Sequence, residues 1–193
     1  MTIRHIYFAG ALFDHKALTG NLLLADAIKR QSAGRYVCVL PQNLEVSEAR
    51  AKDIRDNDLK MVFDCDGALF NFDGTELDSG TVVEFMYAKM LDKPSVILRT
   101  DFRSGGDQLD GDPWNLMCSF YPRTATVLRN GMADYHGMRA DGEDLLEILS
   151  SSYQKLAGEL IAKLDEVFEQ KSPLDASGLD RSVIELWAQR FPG

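Results

Sequence analysis

Along this chain the apolar positions change their period repeatedly, and each change marks an element. Ile3 to Ala9 is a β-rich run that closes in Ala9-Gly10-Ala11. From about Thr19 to Ser32, Leu22, Leu23, Ala25 and Ile28 give a helix one apolar side, and Gly34 stops it. Tyr36 to Leu40 reads as a second strand, ended by Pro41-Gln42-Asn43. Ser47 stands where it could cap a helix through Ala51, Ile54, Asp58, Leu59, Met61 and Val62. Gly67 to Phe72 is a third strand. A helix then opens near Thr81 and closes before Pro94. Thr81 and Glu84 have capping-box spacing, and Lys89 and Lys93 suit the negative helix end. Val82, Val83, Phe85, Met86, Tyr87, Ala88, Met90 and Leu91 make this helix apolar on nearly every side, which predicts burial.

Ser95 to Arg99 is a fourth strand and Thr124 to Leu128 a fifth. Between them the Gly/Asp-rich loop Asp101 to Pro113 reads as a lid or a solvated loop, and Trp114 opens a short helix. A long amphipathic helix runs from Asp141 to about Lys171, ended by Ser172-Pro173. A last helix spans Asp180 to Phe191, with Val183, Ile184 and Trp187. Strand and helix alternate with short connections. The pattern predicts an α/β fold: a doubly wound, flavodoxin- or Rossmann-like five-stranded parallel sheet with a C-terminal helical extension. We expect one domain over 1–193, with an α/β core over 1–140 and the extension over 141–193 docked on the sheet or on another subunit.

Composition narrows the classes of function. The 193 residues are 45% apolar, enough for a sizeable core. A net charge of −9 argues against a nucleic-acid polymer or an anionic membrane as partner. No run of 18 apolar residues exists to span a bilayer, and the first ten residues are too short and polar for a signal peptide. Cys38, Cys65 and Cys118 are odd in number and lack metal spacing, so they read as reduced thiols of a cytoplasmic protein. His5, His15 and His136 share no ligand motif, and no metal is expected. No cofactor is expected either: the chain has no G-x-G-x-x-G after its first strand and no G-x-x-x-x-G-K. It also lacks the G-x-S-x-G of serine hydrolases.

The chemistry concentrates around Glu84. It follows the third strand, near the carboxyl ends of the strands where open α/β sheets bind ligands. A capping glutamate needs no function. Yet a helix N-terminus favours an ionised carboxylate, and an ionised, positioned carboxylate is what a glycosidic nucleophile requires. A competing motif, Asp64-Cys65-Asp66-Gly67, is similar to the D-x-D-G nucleophile loop of haloacid-dehalogenase-type phosphatases. There the first Asp ends an apolar strand, whereas here Arg55 to Lys60 reads as a helix.

Four pieces in order resemble the nucleoside 2-deoxyribosyltransferase family. They are Ile6-Tyr7-Phe8-Ala9-Gly10 at the first strand, Asn57-Asp58-Leu59 in the third element, Asp78-x-Gly80 leading to Glu84 with Tyr87-Ala88 beyond, and Asn115-Leu116-Met117 after the lid-like loop. The resemblance covers most of the first 130 residues and implies roles. Glu84 would attack the anomeric carbon of a deoxyribonucleoside and pass the sugar to a free nucleobase or, more slowly, to water. Asp58 and Asp78 would contact the base and assist its protonation, and carboxylates so close should push their pKa values apart. Tyr7 would orient Glu84. Asn115 would bind the sugar 5′-hydroxyl across a subunit interface, which implies a homo-oligomer, dimer or hexamer, with shared active sites. Phe13, Gln42 and Gly10 complete the expected substrate pocket. A relative cleaves deoxynucleoside 5′-monophosphates as an N-glycosidase, and a non-catalytic nucleotide-binding module is a further alternative. Asp78, six positions before the glutamate, would repel a phosphate and favours nucleosides.

Overall fold

Five short apolar runs become five strands: β1 (Arg4–Ala9), β2 (Tyr36–Val39), β3 (Gly67–Asn71), β4 (Ser95–Arg99) and β5 (Thr124–Leu128). They form one sheet in the order β2-β1-β3-β4-β5, and every pair is parallel. Five helices connect or cover them: α1 (His15–Gln31), α2 (Ala51–Asp64), α3 (Ser79–Met90), α4 (Gly131–Ala140) and α5 (Leu145–Glu169). The structure, a computed structural model, describes residues 2–44, 50–108, 111–140 and 144–174, together with residue 189. The expected cap at Ser47 and the expected helix 180–191 lie outside the described residues.

Side-chain alternation along the strands divides the core into two layers. Ile6, Phe8, Leu69, Val96 and Leu98 face α1 and α5, where they meet Leu24, Ile28, Leu160 and Leu164. Tyr7, Ala68, Phe70 and Ile97 face α2 and α3, where they meet Val62, Phe85, Ala88 and Trp114. Both faces are covered, as a parallel sheet requires. The order reverses between β1 and β3, because α1 leads to one side of β1 and α2 returns to the other. Gly10 lies just beyond β1 at this reversal. A Cβ there would come within 2.9 Å of the Asn71 Cβ, so glycine is what lets the two strand ends approach.

Helix ends differ from the sequence expectation where an aspartate outcompetes a later cap. Asp14 caps α1, accepting from the Lys16 and Ala17 amides at 2.8 and 3.0 Å, so α1 begins four residues before Thr19. Asp78 caps α3, accepting from the Thr81 amide and hydroxyl, each at 2.8 Å. Thr81 is therefore inside the helix and the Thr81–Glu84 capping box does not form. Nor is α3 buried all round. Phe85 and Ala88 are buried, but Val83 is 49% and Met90 66% exposed. Helix α4, not expected from a glycine-bearing segment, closes against α5, with Arg129 joining Asp134 to Glu159. The short helix expected at Trp114 is a 3₁₀ turn over Leu116–Cys118.

The described part of the expected extension is a layer of the core. Ala157, Leu160, Leu164 and Val167 of α5 have no exposed surface. Asp165 accepts from Arg35 at 2.6 and 3.1 Å and from the Tyr36 hydroxyl at 2.6 Å, which fixes α5 across the start of β2. Leu164→Ala should therefore cost about 2–5 kcal/mol of stability, the range for deleting a buried leucine. Urea unfolding checks it, and a cost below about 1 kcal/mol would place α5 outside the cooperative core.

Candidate active site

Tyr7 is where sequence, sheet and chemistry meet. It is in the middle of β1, between Val39 of β2 and Ala68 of β3, and is completely buried. A buried phenol needs a partner for its hydroxyl. It finds one in Glu84 of α3, donating to Oε1 at 2.7 Å. The partnership follows from alternation: Tyr7 faces the α3 layer because Ile6 and Phe8 face the other. Glu84 in turn sits near the start of α3, with Phe85 beside it buried against Phe70 and Phe72 at ring separations of 5.2 and 5.6 Å.

Two more carboxylates bear on this pair. Asp58 comes from the middle of α2 and Asp78 from the cap of α3. Burial, opposed by the Tyr7 hydrogen bond and reinforced by the charges of Asp58 and Asp78, pushes Glu84 up to about 7. The expectation that a helix N-terminus would keep Glu84 firmly ionised is thus corrected. Glu84 is in the second turn, and desolvation outweighs the dipole. The Tyr7 phenol is driven far above its ordinary value, by burial first and then by the charges of Glu84 and Asp58. It remains a donor throughout the physiological range.

The other expected residues fall around this centre with different standing. Gly10 marks the switch point, as described. Phe13 lies in the loop after β1 and is 78% exposed among the described residues. Gln42 is in the 3₁₀ turn Pro41–Asn43 after β2 and donates to the Leu18 carbonyl at 3.0 Å, which ties that turn to α1. Asn115 is exposed, and its Oδ1 accepts from the Met117 amide at 3.0 Å, capping its own turn. The structure thus brings Tyr7, Glu84, Asp58 and Asp78 together and leaves Asn115 and Phe13 facing solvent. The phosphatase-like motif is taken apart: Asp64 ends a helix, and Asp66 precedes β3 at the opposite edge of the sheet.

Two grooves lie elsewhere among the described residues. One of about 610 Å³ runs between α1 and α5, and one of about 560 Å³ between α4 and α5. Both are on the face away from Glu84 and share Leu149 and Tyr153; Leu146 lines the first, and Arg129, Asp134 and Lys155 line the second. Volume alone does not make a reaction centre. The carboxylates and the buried phenol are the groups that can do chemistry, and we place the site there. Among the described residues no cluster of three or more His, Cys, Asp or Glu could hold a metal, and no helix is long and apolar enough to cross a membrane.

A flavodoxin-like parallel sheet with a phenol-supported carboxylate near its switch point is an α/β scaffold of the kind that binds small ligands at the carboxyl ends of its strands. A model of the nucleoside 2-deoxyribosyltransferase family matches residues 6–117, and the chain belongs to that family. It is accordingly an enzyme of the nucleoside deoxyribosyltransferase type, whose substrates are deoxyribonucleosides and nucleobases. Among solved structures, a 2-desoxiribosyltransferase from Leishmania mexicana is 24% identical, with a TM-score of 0.51 over 61% of this chain and 86% of that one. A conserved protein from Enterococcus faecalis V583 is 22% identical, with a TM-score of 0.54 over 86% of this chain and 99% of that one. At these identities the likeness is one of fold. No curated protein matches the chain.

The raised Glu84 has a consequence for stability. The folded protein holds this proton up to about 7, whereas the ordinary value is 4.5. Its contribution is therefore full below about 4.5 and is lost as pH rises through about 7. Glu84→Gln, which stays neutral, should gain Tm relative to wild type as pH rises from 5 to 8. Thermal melts across that range check it, and a difference independent of pH would contradict the raised value.

Proposed function

We propose that the protein moves a 2-deoxyribosyl group between nucleobases by double displacement through Glu84. The observation that carries this reading is the 2.7 Å Tyr7–Glu84 hydrogen bond with Asp58 and Asp78 beside it. In the first step a Glu84 oxygen bonds to the anomeric carbon. The glycosidic C–N bond breaks, its electron pair leaves with the base, and the base takes up a proton with assistance from Asp58 or Asp78. In the second step a nitrogen of the incoming base attacks the same carbon and gives up its proton to the carboxylate that assisted the first base, the glutamyl ester breaks and the Glu84 carboxylate is restored. Water in place of the base gives slower hydrolysis. Two inversions retain configuration. Tyr7 holds one carboxylate oxygen and so aims the other.

Nucleosides are favoured over 5′-monophosphates by the cap of α3. Asp78 occupies the first-turn amide of Thr81, one of the donors a phosphate at this helix end would use, and brings a negative charge of its own. A monophosphate N-glycosidase is the second reading, kept because Ser79 stands beside that cap.

We further propose that sites are shared between subunits of a homo-oligomer, with Asn115 completing a neighbour's sugar pocket. Asn115 is flanked by exposed apolar side chains: Leu116 at 46%, Met117 at 64% and Phe120 at 87% exposed. Phe120 also holds φ 65°, an uncommon conformation for a bulky residue. Val83 and Met90 of α3 are exposed as well. A patch of this kind supports an interface.

Incubated with a deoxyribonucleoside, the wild-type protein should gain the mass of one deoxyribosyl group, and Glu84→Ala should gain none and transfer nothing. Mass spectrometry of the intact protein and chromatography of the bases read both outcomes. An active Glu84→Ala would remove the nucleophile assignment, and a faster reaction with the 5′-monophosphate would select the N-glycosidase reading. For the shared site, Glu84→Ala and Asn115→Ala should each be nearly inactive, yet co-expressed together should recover activity in mixed oligomers. A fully active monomer by light scattering would refute the sharing and leave Glu84 untouched.

A further inference from the structure

Two loops at the carboxyl edge of the sheet carry the residues invoked above. The loop after β3 leads to Asp78 and Glu84. The loop after β4 leads to Asn115. Each of these loops grips the other. From the first, Asp73 Oδ1 accepts from the Thr100 amide at 2.5 Å and the Asp101 amide at 2.8 Å, while its Oδ2 accepts from the Thr100 hydroxyl at 2.8 Å. From the second side, Arg99 donates through Nη1 to the Phe72 carbonyl and through Nη2 to the Arg103 carbonyl at 2.8 Å. Arg99 is 1% exposed, a guanidinium taken wholly out of water. Such burial is costly; Nη1 and Nη2 are satisfied by these two carbonyls, while Nε has no hydrogen-bond partner among the described residues.

The grip continues outward to the site residues on both sides. Phe72, whose carbonyl Arg99 holds, packs edge-on against Phe85 of α3 at 5.6 Å and against Trp114 at 5.4 Å. Trp114 immediately precedes Asn115. Its carbonyl accepts from Gln108 at 3.1 Å, and the Leu116 amide donates to Asp107 at 2.9 Å, so the second loop is folded back onto the turn that bears Asn115. Two glycines permit the closeness. A Cβ on Gly105 would lie 2.9 Å from the Thr75 carbonyl of the first loop, and a Cβ on Gly106, at φ 80°, would lie 2.2 Å from the Trp114 carbonyl carbon.

We propose that Asp73 and Arg99 are positioning residues for the transfer reaction. As a reciprocal clasp they set the placement of the Asn115 turn against the Glu84 helix. This rests on the reading in which Asn115 holds the sugar 5′-hydroxyl. Neither residue touches substrate; both act through the backbone they hold. The clasp works within one chain or, with shared sites, fixes the turn that each subunit offers its neighbour.

The test compares a 2′-deoxyribonucleoside with its 2′,5′-dideoxy analogue, which lacks the hydroxyl. Wild type should prefer the first in kcat/KM, and Asn115→Ala should nearly abolish the preference. Asp73→Ala should lower kcat/KM for the deoxyribonucleoside by roughly ten- to a hundredfold, with kcat as well as KM affected, since a misplacement of about 1 Å costs that order. It should change the dideoxy analogue far less, and adding it to Asn115→Ala should cost little more. Asp73→Asn, whose amide oxygen can still accept from both N–H groups, should stay within a few-fold of wild type. If Asp73→Ala fails to fold, Thr100→Val removes one bond of the clasp and should shift the preference in the same direction. A preference that survives Asp73→Ala and Thr100→Val, or equal losses on both substrates, overturns the clasp. A wild-type enzyme with no preference overturns the Asn115 reading itself, and the clasp with it.

Discussion

One hydrogen bond organises this molecule: the Tyr7 hydroxyl on the Glu84 carboxylate, inside the layer between sheet and helices. A buried phenol without a partner would cost the full desolvation of its hydroxyl, and a half-buried glutamate without a donor would simply take a proton. Each supplies what the other lacks. The bond also spans two elements, since Tyr7 belongs to β1 and Glu84 to α3, so it can form only once the sheet has assembled and α3 has docked. Folding and construction of the site are in this sense the same event.

The electrostatic setting pulls in both directions, and the magnitudes decide the outcome. The Tyr7 bond favours the ionised carboxylate, but desolvation and the neighbouring charges of Asp58 and Asp78 oppose it, and they win, leaving Glu84 near 7. A carboxylate in that condition is more basic than an ordinary glutamate and still substantially ionised at neutral pH. That combination suits the nucleophile role proposed for Glu84. Holding three acidic side chains in one neighbourhood costs stability, and the large aromatic layer of Phe70, Phe72, Phe85 and Trp114 beneath is where compensation lies.

Around this centre the two loops at the carboxyl edge are not loose connections. Asp73 and Arg99 join them in both directions, and Phe72 carries the contact into the core. The exposed surface beyond has the opposite character. Among the described residues, Phe13, Phe120, Met117 and Met90 are exposed. The sheet and its two helical layers bury their apolar faces, whereas these side chains at the periphery do not.

Much of this was legible in the sequence. Five apolar runs separated by helical repeats dictate a parallel sheet, because short connections and alternating periods leave few other arrangements. Glu84 stood out at the start of the helix that follows the third strand, and Tyr7, Asp58 and Asp78 could be named only through the resemblance to the deoxyribosyltransferase family. The sequence alone did not decide what those elements do to one another. Glu84 looked like a cap held ionised by a helix end, but Asp78 took the cap and packing raised the glutamate. Met90 and Val83 looked buried, because composition reports what a side chain prefers and not whether a neighbour arrives to cover it. Residues 141–171 read as a helix docked on the sheet or on another subunit, and α5 lies on the sheet as half of one core layer, a choice that only the assembled sheet could decide by showing which faces remain to be filled. Asp73 and Arg99 gave no local signal at all. Apart from the Thr100 hydroxyl, their partners are backbone atoms, up to 28 positions away in the case of Asp73, and backbone groups carry no sequence. Local pattern fixes which elements form; long-range burial and hydrogen bonding, which depend on the assembled geometry, fix what each residue becomes.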